Sequence, residues 1–511
     1  MPYDPPLVIT AGYQVGGTTQ FAEGEDENNN PFTRMCKEAL GIEWRVTLTY
    51  GESDREAPWT LAMASGELPD VCCGMPISSF VSAMEADLLQ DVTDNWEATA
   101  SPKWLREPAE SPDSLAFAYM EVDGRKYGIP TAGPAAMHEA MLWVRKDWLD
   151  ELGLEEPQTL DQVKEVALAF KQADLGQGSG GTTLGLLGSS EFITWFGSLD
   201  PIFGGFGVQP TFWQKDGEGL SYASVRPEMK DALLLLRDWY ASGVLEPDFY
   251  TIEPFDSKKF IASNRCGLMY SQYYCPRFGI NESLQNDPDA EWVFGDIPAG
   301  PAGKWKRWSN PWEPIWVTFP KGFEHVDEVI RHNNWWAELT QDPSRRWHGW
   351  EGPGYSYTID DGRYAKTSTL THKWMIAASG GTGTWGDPNT QYNEFKWQEE
   401  NWKDIPEGDR DAFQQTFFDD PIGTEEMFRA AYMYAVENAI PQGIRDEFTR
   451  LPTETMIRAG TDLIDLENET FLGIITGQLA PEAFEEFVST YERLGGAAIH
   501  EEVNDWYASK S

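Results

Sequence analysis

The stretch from Asp123 to Phe170 constrains the fold more than any other part of this chain, because it spells out strand, crossover and helix in order. Asp123-Gly124 divides Tyr119-Met120-Glu121-Val122 from Lys126-Tyr127-Gly128-Ile129. That is a hairpin signal, since glycine takes positive φ without steric cost. Met141 to Val144 is an apolar run of strand length. Asp147 is placed to cap a short helix that Gly153 ends. Thr159 and Gln162 have capping-box spacing. Val163, Val166, Ala167 and Phe170 then fall at i, i+3, i+4 and i+7, one apolar helix face.

Strands continue to alternate with helices on both sides of this stretch. Leu7 to Ala11, Trp44 to Tyr50 and Asp70 to Cys73 read as strands, with helices at Pro31 to Leu40 and Ala57 to Ser65. Gly267 to Tyr270, Trp292 to Ile297 and Ile315 to Phe319 read as later strands, and the chain is mostly helical from Phe323. Such alternation implies an α/β protein with mixed sheets flanked by helices. No fixed-period repeat is present.

Several motifs resemble those of the extracellular solute-binding proteins of ABC importers, in the large branch that includes alginate-oligosaccharide-binding proteins. YGIP at Tyr127 to Pro130 followed by LWVRKDWLDELGL is similar to the family's strand-and-crossover signature. ASGELPDV at Ala64 to Val71 resembles its helix-to-strand junction, and LLLLRDWYASG resembles a later helix. The closing FLGIITGQLAPEAFEEFVSTYERLGGAAIHEEVNDWY resembles its last helices. The resemblance implies a type II periplasmic-binding-protein-like fold of two lobes, each a mixed β-sheet flanked by helices, with the ligand cleft between them. The expected lobes are 1–132 plus 310–375, and 133–309 plus 376–511. The chain is expected to cross between them near Pro130 to Ala136 and near Ser309 to Trp316. The ligand is expected to drive closure of the lobes.

Composition narrows the partners. Lys and Arg number 39 against 83 Asp and Glu, a net charge of −44, which repels nucleic acid and anionic lipid. Cys36, Cys72, Cys73, Cys266 and Cys275 show no CxxC or Cys/His ligand spacing, so buried free thiols are expected and no metal site. Whether Cys266 and Cys275 pair is left open. No apolar stretch reaches the length of a membrane span. Met1-Pro2-Tyr3-Asp4 lacks the basic start and apolar core of a signal peptide. The resemblance implies an exported lipoprotein whose leader and lipidated cysteine precede this sequence; a cytoplasmic protein is the alternative.

The ligand clue is aromatic content: 23 Trp, 19 Tyr and 26 Phe. Sugars offer C–H faces to aromatic rings and hydroxyls to planar polar groups, so a sugar site mixes the two. Candidates are Asp26 and Asn28 in an acidic, Asn-rich loop; His138 after the first crossing; Trp195 in an aromatic, Gly-rich segment; Tyr273, Tyr274 and Arg277 after a strand; Trp312 and Glu313 at the second crossing; and Trp350 and Trp385 in later Gly-rich loops. The competing reading is structural throughout: a solvated loop for Asp26 and Asn28, an exposed histidine at 138, packing for the aromatics. Trp143, Trp148, Trp239 and Trp336 lie on regular patterns and read as core.

In some glycan-binding relatives a calcium loop follows the helix equivalent to Gln162–Ala173. Here Asp174 to Thr183 retains only the Asp174 carboxylate, so no calcium is expected. No cofactor is expected either. A glycoside hydrolase would need a carboxylate pair, which this acidic chain cannot single out. The absence of GxSxG, HExxH, P-loop and eightfold βα patterns argues against catalysis. A surface adhesin or sensor would share the binding chemistry. The expected function is binding an oligosaccharide, neutral because Arg277 is the one base placed near the cleft, and delivering it as a monomer to the membrane permease. A peptide or other non-sugar solute is the runner-up.

Overall fold

The computed structural model describes residues 2–14, 21, 23–51, 55–133, 135–136, 138–176, 181–191, 193, 195–341, 357–360, 363–366, 388–406 and 423–510. The chain divides into two compact units. The first comprises Met1–Ala135, Asn310–Asp419 and Thr449–Leu451; the second comprises Ala136–Ser309, Asp420–Phe448 and Pro452–Ser511. The chain passes between the units at 135/136 and at 309/310, and residues 388–406 group with the first unit. One tie is visible there: the Ala135 amide donates to the Pro388 carbonyl at 2.9 Å.

In the first unit, Leu7–Gln14 and Ile42–Tyr50 pair in parallel, with a register shift between Ala11 and Gly12. Ala11 then bridges Val71, and the Asp70 carboxylate accepts from the Thr10 amide and hydroxyl, both at 2.8 Å. This anchors the ASGELPDV junction to the first strand. Trp312–Thr318 lies between two antiparallel neighbours, Cys72–Cys73 and Ile129–Ala132. Ile9, Trp44, Val71, Trp96, Ile129, Val317, Phe319, Ile330 and Trp336 belong to one core.

The second unit is built on Met141–Arg145, paired antiparallel with Leu268–Ser271 on one side and Trp292–Gly295 on the other. Every residue of the central strand is buried, which explains its continuous apolar run. Leu160–Ala173 and Pro227–Ser242 pack their apolar faces into the same core as Leu142, Val144 and Trp148; Phe471 and Ile474 of Glu454–Thr476 join them. Trp143, Trp148, Trp239 and Trp336 are all buried.

Local punctuation follows the residues. Glu121–Val122 and Arg125–Lys126 form the hairpin, with Asp123 and Gly124 at φ 52° and 74°. Gly153, at φ 64°, ends the Lys146–Leu152 helix. The Thr159 hydroxyl accepts from the Gln162 amide. The Asp147 reading needs correction: Asp147 lies inside the first turn and caps nothing. Its carboxylate grips Arg145 instead, with Nε to Oδ1 at 2.7 Å and Nη2 to Oδ2 at 2.6 Å. The signature's Arg-Lys-Asp is therefore a structural clamp. All five cysteines are free and buried, Cys266 and Cys275 included.

Candidate functional site

The second unit gathers several expected ligand residues at one end of its sheet. Leu268–Ser271 runs into Gln272, Tyr273 and Tyr274, while His138 and Glu139 lead into the antiparallel neighbour. Gly197 N–H donates to the Tyr270 carbonyl at 3.2 Å, which brings the 195–197 segment alongside. His138 and Trp195 then face each other, ring centroids 6.1 Å apart. Phe196 packs its ring edge-on against Tyr274 at 5.6 Å, and so joins the two groups.

Two features mark this end as more than packing. Trp195 adopts φ 64°, a left-handed backbone rarely taken by a bulky side chain. Polar atoms also stand unused. His138 Nδ1 and Gln272 Nε2 are buried without a hydrogen-bond partner among the described residues. Gln272 is fully buried, and its Oε1 accepts from the Tyr274 hydroxyl at 3.3 Å. A buried amide donor left open is costly, and a ligand hydroxyl would satisfy it. Loss of water contact and the nearby Arg307 push His138 down to about 4. At neutral pH it therefore offers one donor and one acceptor.

Other expectations fare differently. Tyr273 is only 5% exposed and packs against Tyr432 at 4.6 Å and Phe428 at 5.3 Å, so its ring faces are largely covered by protein. Arg277 forms an ion pair with Glu425, and its guanidinium stacks over Phe428 at 3.6 Å. Asp26 and Asn28 lie in the first unit. Asp26 Oδ1 accepts from the Asn28 and Asn29 amides, and Asn28 Oδ1 accepts from the Val46 amide at 2.7 Å. Both close their own loop onto the Ile42–Tyr50 strand. Trp312 and Glu313 pair through their backbones with Ala132 and Thr131. Their side chains, and Trp350 and Trp385 altogether, lie outside the described residues. The Asp174 carboxylate accepts from the Thr183 amide at 2.9 Å, a loop-closing role.

Glu139 and Gln272 were not picked out from the sequence. A signal existed for Glu139: it is the lone carboxylate in a run from Ala135 to Val144 that is otherwise apolar except for His138, and buried carboxylates are uncommon.

A family model described as bacterial extracellular solute-binding protein matches residues 35–249. The matched stretch is less than half of the chain, and it carries the likeness to that family. The curated polygalacturonan/rhamnogalacturonan-binding protein YtcQ of Bacillus subtilis (strain 168) is 24% identical over 290 residues, 56% of this chain and 54% of that protein. The match thus spans about half of that relative's length. The fructooligosaccharide ABC transporter substrate-binding protein FusA of Streptococcus pneumoniae serotype 4 (strain ATCC BAA-334 / TIGR4) is 22% identical over 388 residues, 72% of this chain and 62% of that one. Among solved structures, the alginate-binding protein AlgQ2 superposes with a TM-score of 0.68 over 99% of both chains at 15% identity. The solute-binding fold therefore extends along nearly the whole chain. Family and structural neighbours are binding proteins rather than enzymes.

Proposed function

We propose that this solute-binding protein is the extracellular component of an ABC importer and that its cargo is a neutral oligosaccharide. The observation that carries the reading is the end of the second unit's sheet. There the Trp195 and His138 rings, the open Gln272 amide and the Tyr274 hydroxyl combine stacking surface with planar polar groups. Sugar recognition requires that combination. Neutrality follows from how the nearby cations are engaged. Arg277 is paired with Glu425. Arg307 donates to the Pro210 carbonyl and lies over Phe212. Lys306 is buried and donates to the Ala140 carbonyl at 2.8 Å. None of these three is free to meet a uronate. Trp312, Glu313, Trp350 and Trp385 are proposed as further contacts. In this reading the protein acts as a monomer at the bacterial surface, held by a lipid anchor, and hands its cargo to membrane permease subunits.

The test is a thermal-shift panel of xylo-, manno-, gluco- and galacto-oligosaccharides beside oligogalacturonates, with product analysis of each mixture. At a hundredfold excess over Kd, a ligand stabilises the native state by about 2.7 kcal/mol. A neutral glycan is expected to shift the melting temperature without being cleaved, and Trp195→Ala to weaken it about tenfold. A shift from oligogalacturonates alone would overturn neutrality. Cleavage would overturn the binding role, and no shift from any sugar would overturn the oligosaccharide.

A further inference from the structure

Beside the His138–Trp195 pair lies a buried charged cluster that sugar stacking leaves unexplained. Glu139 is fully buried. Its Oε1 accepts from the Ser309 amide at 3.3 Å, and its Oε2 has no hydrogen-bond partner among the described residues. Lys306, equally buried, anchors the next residue through the Ala140 carbonyl. The chain enters the second unit at Ala136 and leaves it at Ser309. Glu139 thus fastens the exit segment to the entry segment, one residue from His138.

We propose that Glu139 is a positioning residue for the ligand-binding end of the second unit: its ionised carboxylate clips Ser309 and holds His138 in place, and a proton releases the clip. The ligand consequence rests on the oligosaccharide reading; the clip does not.

The groups around it set the direction. Burial pushes Glu139 up to about 7, partly offset by the Ser309 amide and the Lys306 charge. Lys306, on the Lys306–Arg307 strand, is pushed down by burial and drawn back up by Glu139, Asp200 and Asp296. Asp200 accepts from the Arg307 amide at 2.9 Å, and Asp296 is held by Lys304 at 2.8 Å. His138, pushed down to about 4 by burial and the Arg307 charge, is neutral throughout the range concerned. Of these groups only the Glu139 carboxylate accepts from the Ser309 amide, so its protonation bears on the clip directly, whereas Asp200, pushed up to about 6, and Lys306, pushed down to about 8, act through their charge alone. A hydrogen bond to a carboxylate is about twice as strong as one to a neutral acceptor. Protonation therefore loosens the clip as pH falls through about 7.

The experiment is hydrogen exchange of the full chain from pH 6 to 8.5, rates corrected for intrinsic chemistry, reading the Ser309 amide and its neighbours. Wild type is expected to gain about tenfold protection with a midpoint near neutrality. Glu139→Gln is expected to remove that midpoint, and Glu139→Ala to lose protection at every pH. In parallel, the neutral glycan with the largest thermal shift should bind more weakly at pH 6 than at pH 8 in wild type but equally in Glu139→Gln. Wild-type protection without a midpoint overturns the proposal, and this arm decides even if the variants fail to fold. A midpoint that survives in Glu139→Gln also overturns it. A midpoint present in wild type, lost in Glu139→Gln and accompanied by no sugar binding upholds the clip and sinks the oligosaccharide reading alone.

Discussion

Replacing Arg145 with methionine removes the clamp at the centre of the family signature while keeping a long apolar stem. The guanidinium makes four contacts: Nε and Nη2 to Asp147, Nη1 to Asn264 Oδ1 at 2.8 Å, and Nη2 to Asp287 Oδ2 at 3.0 Å. It also lies over Trp148 at 4.7 Å and Trp292 at 5.9 Å. Breaking a buried ion pair typically costs about 3–5 kcal/mol, because the remaining charge is stranded. Here the stranded side chains are not sealed in: Asp147 and Asp287 are 28% and 38% exposed. Water can reach both, which places the cost near the lower bound, about 3 kcal/mol. Arg145→Lys keeps the charge but lacks the planar fork that serves opposite sides at once, and should lose about 2 kcal/mol. Urea unfolding followed by circular dichroism reads both values, with the slope expected to stay constant. Ligand affinity of the folded fraction should be unchanged. Destabilisation by Arg145→Met below about 1 kcal/mol would refute the clamp argument, and so would an intact stability combined with lost binding.

Two further outcomes follow from buried groups elsewhere. Glu467 accepts from the Tyr222 and Ser224 hydroxyls at 2.8 Å each, and burial pushes it up to about 7 from an ordinary 4.5. The folded state keeps this proton where the unfolded chain has released it, so its stabilising contribution is present below pH 4.5 and lost as pH rises through 7. Relative to Glu467→Gln, wild type should lose about 3 kcal/mol over that window, read by urea titrations at pH 4.5 and 8; an equal difference at both pH values would refute it. Burial pushes the Cys36 and Cys266 thiols up to about 12, and those of Cys72 and Cys275 higher still. A thiol reagent at pH 8 should leave the native chain untouched and count five thiols in urea, whereas three would reveal a disulfide.

What the sequence made legible was local. Gly124, Gly153 and Thr159 act on backbone within three residues of themselves, and each does what its chemistry dictates. The apolar faces at Val163 to Phe170 and Met141 to Val144 are likewise set by short-range period. What the sequence could not show is contact with remote partners. Asp147 has the type and place of a helix cap, but the Arg145 it grips is also held by Asn264 and Asp287, more than a hundred residues on. Tyr273 follows a strand as a ligand aromatic would, yet Phe428 and Tyr432 cover it from a distant helix. Arg277 was legible as a base but not as Glu425's partner. His138 and Trp195 were legible as chemistry; their pairing depends on the Gly197 amide reaching Tyr270.

The sheet of the first unit has a consequence for biosynthesis. Ile129–Ala132 and Cys72–Cys73 have no common neighbour until Trp312–Thr318 arrives to lie between them. From Ala132 to Trp312 the chain adds 312 − 132 = 180 residues, almost all of them belonging to the other unit. At about 5–20 residues per second, that gap lasts roughly 10–40 seconds during synthesis. For that time two strand edges remain unpaired, the state in which edges recruit wrong partners. The second unit, by contrast, has its whole central sheet once Gly295 has been made. The first unit to begin is therefore the later to close its sheet, and a chaperone acting on the nascent chain would find its substrate at those waiting edges.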